Sequence, residues 1–458
     1  MAEPRVIIVG AGPSGVRCAE TLVAAGLRPT VVDENRRDGG QIYRRQPENF
    51  TRPYAKLYGT EAERAQALHQ GFDALRGRID YLPETLAWNI ADHQLHVVHE
   101  QRTRALPYDA LVICAGATDR LMPVKGWHYA GTYSLGASQI ALKAQACAIG
   151  RQIVFMGSGP LLYLVASQYV KAGATVAAVL DTSPFMRRVA ALPKLLARPA
   201  VLFNGLVLVA GLKRAGVKVL TGITPIEIKG SPESGVQGVV FHDASGHTQT
   251  LECDAVAMGY HLRPETQLAD LARCAFRFDQ ETRQWLPQVG ADGRTSVPGV
   301  YLAGDGMRVL GADAAEVGGR LAALALLTDL GRKVPVGELQ GLRAQQAKME
   351  RFRQGLAQAF PWPAQQAAQL PDEAIVCRCE AITAGELRRT VCDMGAQEAN
   401  RAKALCRVGM GRCQGRYCGN AGAEIIAHAA GIPVEQVGRL RGQAPVKPLS
   451  MAVREEAE

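Results

Sequence analysis

No apolar run in this 458-residue sequence is long enough to cross a bilayer. The longest, PAVLFNGLVLVAGL (199–212), has 14 residues, whereas a spanning helix needs about 20. Basic residues bracket it (Arg198, Lys213, Arg214), so its expected place is a buried helix or a partner-facing surface, with a membrane-surface contact as the alternative. A secretory leader is not expected either. PRVIIVGAG begins a hydrophobic strand by residue 5, with no room before it for a charged region, an apolar core and a cleavage site, and the expectation is a cytoplasmic chain. Low-complexity tracts and blocks of like charge are absent, so no disordered tail is expected. The net charge of +9, from 52 basic and 43 acidic residues, reads as spread along the chain without an aromatic-interleaved stripe. No nucleic-acid partner is therefore expected, and the surplus suits anionic cofactors. Close cysteine pairs are missing from the first 370 residues, where positions 18, 114, 147, 253 and 274 lie far apart. The other six of the eleven cysteines crowd between Cys377 and Cys418, which marks a site rather than scattered core use.

What is present is an ordinary globular composition, 47 % apolar and 21 % charged, on a length that allows two or three domains. Residues 5–35 read strand, tight turn, helix, strand: RVIIVGAGPSGVRCAETLVAAGLRPTVVDEN. The strands are continuously apolar, as in a parallel sheet covered on both faces, and the helix shifts to spacings of three and four. Gly10, Gly12 and Gly15 form a GxGxxG turn, and Asp33 closes the second strand. Gly10 allows the turn, Gly12 lets the backbone approach a pyrophosphate, and Gly15 lets helix and strand pack closely. The helix N-terminus supplies free N–H groups to the phosphates, and Asp33 is the expected acceptor for ribose hydroxyls. Pro13, Ser14 and Glu34 beside them complete the candidate contacts.

A second unit, RQIVFMGSGPLLYLVASQYVKAGATVAAVLD (151–181), offers Gly157 and Gly159 but places Leu162 where the third glycine belongs. Asp181 ends its strand with no basic residue immediately after it, which gives little to a 2′-phosphate. The unit is expected to keep the fold and to have lost or changed its nucleotide, with NAD(P)H or ATP as the candidates. Two further strands end in small residues, at Ala115 and Gly116 and at Gly304 and Asp305. Asp305 suits ribityl hydroxyls, and the helix opening at GADAAEVGGR (311–320), which carries Glu316, would turn its N-terminus toward a flavin pyrimidine edge.

In this order the stretches resemble the two-dinucleotide-binding-domain flavoproteins, the glutathione-reductase-like group, over residues 5 to about 335. The resemblance implies an α/β fold with FAD in the first unit, and it places Gly39, Gly40 and Gln41 of GGQIYR near the flavin. The disulfide reductases of that group are excluded, because no redox dithiol lies in this portion. A glutamine-rich helix (342–373) stopped by PWP reads as a spacer. Beyond it, Cys377-x-Cys379 and Cys413-x4-Cys418, with 33 residues between them, make a four-sulfur site that suits zinc or iron–sulfur alike. VCRCEAIT…RVGMGRCQGRYCG resembles the bacterioferritin-associated-ferredoxin type of helical [2Fe–2S] domain, which implies that these four cysteines are cluster ligands. Gly409, Gly411 and Gly415 would then let backbone N–H groups reach the sulfurs. Cys392 and Cys406 are expected to be core thiols.

The expected layout is a discontinuous FAD-binding domain (1–120 and 250–335), a second dinucleotide-type domain (121–249), a helical linker (336–373), the cluster domain (374–440) and a tail (441–458). As a whole the chain resembles the α subunit of heteromeric dye-linked amino-acid and opine dehydrogenases: opine oxidases, the hydrogen cyanide synthase B subunit, and proline or hydroxyproline dehydrogenases. The resemblance implies an electron-transfer flavin and iron–sulfur subunit. It further implies that substrate is oxidised in a separate flavoprotein β subunit, in some members with an FMN at the subunit interface, and it leaves a small additional subunit open. Electrons leave for an acceptor protein or a quinone, which keeps peripheral association with the inner face of the membrane open. No base beside the expected flavin stands out, and no catalytic residue is assigned. His261 and Arg263 read as a polar turn. Two other readings remain: an NAD(P)H-dependent reductase sufficient by itself, and a scaffold that holds a nucleotide statically.

Overall fold

Two parallel sheets, each of five strands, organise the computed structural model, which describes residues 3–48 and 52–455. The outermost residues of the expected first domain and tail, 1–2 and 456–458, lie outside the described residues. In the first sheet the order is Val300–Leu302, Ala110–Ile113, Val6–Val9, Thr30–Val32, Asp80–Leu82. Its central strands VIIV and ALVI are buried at every position, as a sheet covered on both faces requires. Helices Pro13–Ala24 and Ala312–Asp329 cross one face in close contact. Glycine makes that contact possible, since a Cβ on Gly319 would stand 2.0 Å from the Ser14 carbonyl oxygen. An antiparallel meander (Leu86–Ala91, Gln94–His99, Arg102–Pro107) flanks the sheet, and Arg454–Glu455 of the tail pairs parallel with its last strand.

The second sheet runs Lys218–Thr221, Thr175–Asp181, Gln152–Ser158, Ala255–Tyr260, Thr132–Ser134. This corrects a boundary. The return to the first unit was expected at residue 250, but AVAMGY (255–260) pairs residue for residue with 153–158, because a wholly buried apolar strand belongs inside the second sheet. The crossing back comes after Tyr260, where Leu262–Pro264 pairs antiparallel with Ala117–Asp119. A three-stranded antiparallel sheet (224–231, 235–242, 248–252) caps this unit.

The long apolar run folds as helix Pro199–Arg214, but it is not interior. Leu212 is its one buried residue. No helix among the described residues is long and apolar enough to cross a membrane. Helix Val336–Ala359 then leads to the C-terminal unit, in which helices Ala384–Cys392, Ala399–Cys406 and Gly419–Ala430 close over Leu387, Val391, Ile425 and Val437. A reciprocal cap starts the first of the three: Glu386 N–H donates to Thr383 Oγ1, and Thr383 N–H donates to Glu386 Oε2.

Candidate functional site

The glycine turn after Val6–Val9 is built around contacts that no side chain could enter. Gly10 has φ +106°, and a Cβ there would lie 2.4 Å from the Cys114 carbonyl oxygen; on Gly15 it would lie 1.8 Å from the Gly10 carbonyl oxygen. Pro13 occupies the first turn of the helix, where its missing N–H costs nothing. Gly39 N–H donates to the Ala11 carbonyl at 2.9 Å, and Gly40 sits against Gly12, so the two glycine loops close into one cradle. Asp33 is buried and accepts from Ala11 N–H at 2.6 Å and from Asn35 N–H at 2.7 Å. Burial raises its pKa against those donors. A carboxylate has about four lone-pair positions, so acceptor capacity is left for a ribose.

Ala115, Gly116 and Gly304 to Gly306 meet at the other end of this cradle, where a Cβ on Gly306 would lie 3.1 Å from Gly116 N. A Cβ on Gly116 or on Gly311, the N-cap of helix Ala312–Asp329, would meet nothing within 4 Å. Asp305 Oδ1 accepts from Leu310 and Gly311 N–H at 2.9 and 3.0 Å. Burial raises the Asp305 pKa, and its Oδ2 has no hydrogen bond among the described residues. A tight glycine cradle, an open space beyond it and a half-buried carboxylate with one oxygen free fit a bound dinucleotide flavin.

Three further candidates have partners within the chain itself. Glu316 is held by Arg17 Nε at 2.7 Å, tying the two packed helices together. Gln41 is exposed and accepts from Arg44. Glu34 is exposed and pairs with Lys447 of the tail.

In the second unit, Gly157 has φ +145° and Gly159 φ +106°, so the turn is retained. Its surroundings are filled by the chain itself. Leu162 is fully buried in the core. Asp181, also fully buried, accepts from Tyr163 Oη, Arg188 Nη2 and Ser183 N–H, all at 2.7 Å. The basic residue absent from positions just after Asp181 thus arrives seven residues later. His261 lies in the bend after Tyr260 and Arg263 in the short strand that follows, both half-buried. The Phe360 carbonyl lies 2.8 Å from His261 Nε2, and enclosure lowers the His261 pKa to about 4, keeping the ring neutral. Phe360 packs its ring near the Arg188 guanidinium, and Trp362 packs edge-on against Tyr260 beneath Arg120. The segment expected to be a spacer therefore lies across the carboxyl ends of the second sheet, where doubly wound folds receive ligands.

The four cysteines come together. Cys377 ends strand Ile375–Cys377, Cys379 lies in the turn that follows, Cys413 is in the Gly-rich loop, and Cys418 is the N-cap of helix Gly419–Ala430. The thiols of Cys377, Cys413 and Cys418 face one another, and Cys379 faces Cys413. Sharing a proton with Cys418 draws Cys377 and Cys413 below the usual thiol range and raises Cys418. Backbone N–H groups of Gly409 and Gly415 reach Cys377 and Cys413, and a Cβ on Gly411 would lie 2.1 Å from Cys379 Cβ. Four soft sulfur donors gathered in one pocket are the ligand set of a [2Fe–2S] cluster and equally of a tetrahedral four-sulfur zinc site; as they stand, no three His, Cys, Asp or Glu side chains among the described residues are placed to hold a single ion. Cys392 and Cys406 stand outside the pocket. Cys392 is exposed, correcting its expected place in the core, and Cys406 donates to the Ala402 carbonyl.

Residues not anticipated from sequence join the two sites. Arg416, between the last two cysteines, donates from Nε and Nη2 to Glu265 at 2.6 and 3.2 Å, and from Nη1 to the Cys413 and Val446 carbonyls. Glu265 N–H in turn donates to the Gly116 carbonyl at 3.0 Å. Against the cost of burial, Arg416 keeps Glu265 below the usual carboxylate range. Arg263 donates to the Arg416 carbonyl, Gln267 to the Gln414 carbonyl, and Arg283 makes a two-pronged pair with Glu424. The cysteine loop is thereby fastened to the wall that holds Gly116. The only sequence sign of this is an arginine inside the cysteine motif. Replacing Arg416 with Met strands the buried Glu265 carboxylate and is expected to cost about 3–5 kcal/mol in denaturant unfolding, with much of it recovered when Glu265→Met is added. A change under about 0.5 kcal/mol would contradict this latch. A cleft of about 940 Å³ lined by Asn89–His93, Asp270–Phe276 and Arg439 contains none of the candidate residues.

Comparison with known proteins agrees with this picture. Residues 4–325 match the pyridine nucleotide-disulphide oxidoreductase family, and residues 375–428 match the BFD-like [2Fe-2S] binding domain. The A subunit of opine oxidase from Rhizobium meliloti is 38 % identical over 463 residues, spanning 98 % of this chain and 86 % of that protein. Hydrogen cyanide synthase subunit HcnB of Pseudomonas aeruginosa is 29 % identical over 97 % of each chain. The solved L-proline dehydrogenase from P. horikoshii superposes with a TM-score of 0.71 at 18 % identity, covering 99 % of this chain and 79 % of that one, a likeness of fold. The expected two-nucleotide-domain flavoprotein fold and the family resemblance are both borne out. With a relative this similar along nearly the whole length, the chain belongs to the family of opine oxidase A subunits within the pyridine nucleotide-disulphide oxidoreductases, and is a flavin-dependent oxidoreductase subunit with a C-terminal [2Fe–2S] domain.

Proposed function

We propose that this chain is the electron-transfer subunit of a heteromeric amino-acid, opine or glycine dehydrogenase. It takes electrons from a substrate-oxidising flavoprotein subunit, and it delivers them to an acceptor protein or a quinone. Two relatives are themselves named as subunits, of opine oxidase and of hydrogen cyanide synthase, which supports a multi-subunit assembly. FAD is assigned to the first unit: helix N-terminal N–H groups beside Pro13 and Ser14 hold the diphosphate, Asp33 takes the ribose, and Asp305 Oδ2 takes a ribityl hydroxyl. Cys377, Cys379, Cys413 and Cys418 hold the cluster. When bound, the two groups supply conversion of an electron pair into single electrons. The observation that carries the reading is the Arg416–Glu265–Gly116 connection, which presses the cysteine loop against the flavin wall. An FMN shared with the partner and a small third subunit are compatible with it. In this reading the first domain comprises residues 1–120 with 261–335, and the cluster domain residues 374–440.

In the same reading the second unit does not pass electrons from NAD(P)H. Asp181 is enclosed by Arg188, Tyr163 and Ser183, and Phe360 and Trp362 cover the strand ends. The test is to mix the flavin-loaded chain with NADH under anaerobic conditions and follow flavin absorbance. Slow or no bleaching is expected, against rapid bleaching when the flavoprotein partner is supplied with its amino-acid or opine substrate. Fast bleaching by NADH alone would replace this reading with that of a self-sufficient reductase.

A further inference from the structure

Fifteen large apolar side chains stand exposed among the described residues, and nine of them fall between Phe185 and Val207. They belong to two consecutive helices, Phe185–Leu195 and Pro199–Arg214, which leave the second sheet after Asp181 and return to it at Lys218. The inner side of this hairpin is anchored: Ala191 and Leu195 pack on Phe352 and Ala359 of the long linker helix, Gly355 accommodates Leu195, and Arg198 pairs with Asp313. The outer side meets no other element among the described residues. Phe185 (61 %), Met186 (69 %), Leu196 (59 %), Phe203 (65 %) and Leu206 (61 %) are turned outward. Such a patch on one hairpin marks a surface that something covers.

Charge identifies what covers it. From Thr182 to Ile226 there is no Asp or Glu, while seven Lys and Arg occur. The surplus of +9 expected to be spread along the chain is thus largely gathered here. Arg188 and Arg198 are paired with Asp181 and Asp313; Arg187, Lys194, Lys213, Arg214 and Lys218 have no acidic partner among the described residues. An apolar hairpin whose own charged side chains are all basic matches an anionic lipid surface, which accepts the apolar side chains between its headgroups and attracts the cations. Helix Pro199–Arg214, 16 residues and about 24 Å long, is too short to span a bilayer.

We infer that the hairpin 185–214 is a membrane-docking element that lies in the interface of an anionic bilayer. This deepens the reading of the chain as an electron-delivering component and rests on it only for its purpose, since it would bring the chain to a lipid-dissolved acceptor.

The experiment is vesicle flotation of the full, cofactor-loaded chain with phosphatidylcholine vesicles, alone and with phosphatidylglycerol added, at low and high salt. Binding roughly tenfold stronger to the phosphatidylglycerol vesicles at low salt is expected, falling as salt rises. Phe203→Glu with Leu206→Glu, at exposed positions that leave the core untouched, is expected to abolish flotation with both vesicle types. Lys213→Glu with Arg214→Glu should remove only the preference for phosphatidylglycerol. Flavin and iron contents stay at wild-type levels in these variants, which separates failure of docking from failure of the electron-transfer reading. No flotation of the wild type, or unchanged flotation of the Phe203→Glu/Leu206→Glu chain, overturns the inference. So does a patch variant that loses its flavoprotein partner or self-association while still floating, because the hairpin is then a protein interface.

Discussion

Cys418→Ser yields a folded, flavin-loaded chain with no iron–sulfur chromophore. The reason lies in what serine keeps and what it loses. Within the protein the Cys418 thiol faces Cys377 and Cys413, and a serine hydroxyl can donate toward both. It also retains the N-cap position of helix Gly419–Ala430, where serine is favoured. The fold therefore has no reason to fail. What disappears is a soft thiolate at the positive end of a helix, and an oxygen ligand is a poor substitute in a cluster. Iron and acid-labile sulfide are expected to fall to background in each of the Cys377→Ser, Cys379→Ser, Cys413→Ser and Cys418→Ser chains, while flavin content and the melting profile stay close to those of the parent. Cys392→Ser and Cys406→Ser, outside the pocket, should retain full iron. Wild-type iron content in all four ligand variants would show that the cluster is held elsewhere.

Gly15→Val is expected to abolish flavin retention. Its Cβ would have to lie 1.8 Å from the Gly10 carbonyl oxygen, a distance no side chain accepts, and the branched chain would also press on Ile8. The only relief is for helix Pro13–Ala24 to move away from strand Val6–Val9. That movement breaks the alignment of its N-terminal N–H groups with the diphosphate and opens the contact between Ser14 and Gly319. Loss of at least about 3 kcal/mol in stability, as in the more severe packing disruptions, and a colourless protein are the expected results. Gly205→Ala is the contrast: Gly205 sits in an exposed helix with nothing within 4 Å of a new Cβ, and the change should leave flavin content unaltered and stabilise slightly, by about 0.5–1 kcal/mol. A yellow Gly15→Val protein of normal stability would remove the first unit from the flavin assignment.

Both predictions use residues whose roles are legible in short stretches of sequence. GxGxxG, a terminal aspartate and two cysteine pairs at short spacing are local patterns, and local patterns report the demands of a turn, a helix start or a ligand. The expectations that fail have the opposite character. Pattern alone gives residues 255–260 to the first unit, leaves open whether 199–212 is buried or faces a partner, buries Cys392, and does not say what His261 and Arg263 meet. Each of these depends on which distant segment a residue meets, and an apolar strand or helix does not say in its own composition which neighbour will cover it.

By its residues alone the chain declares two nucleotide-type units, a four-thiol site and the family to which both belong, because tight glycine turns and paired thiolates leave few structural alternatives. Only the tertiary structure decides how the sites are related. It brings Arg416 from the cysteine loop onto Glu265 beside Gly116, lays Phe360 and Trp362 across the second sheet, and leaves the 185–214 hairpin facing outward. Those arrangements rest on contacts between segments some 100 to 180 residues apart, whose energies are set by burial and by pairing of charge out of water, quantities that exist only once the chain has folded.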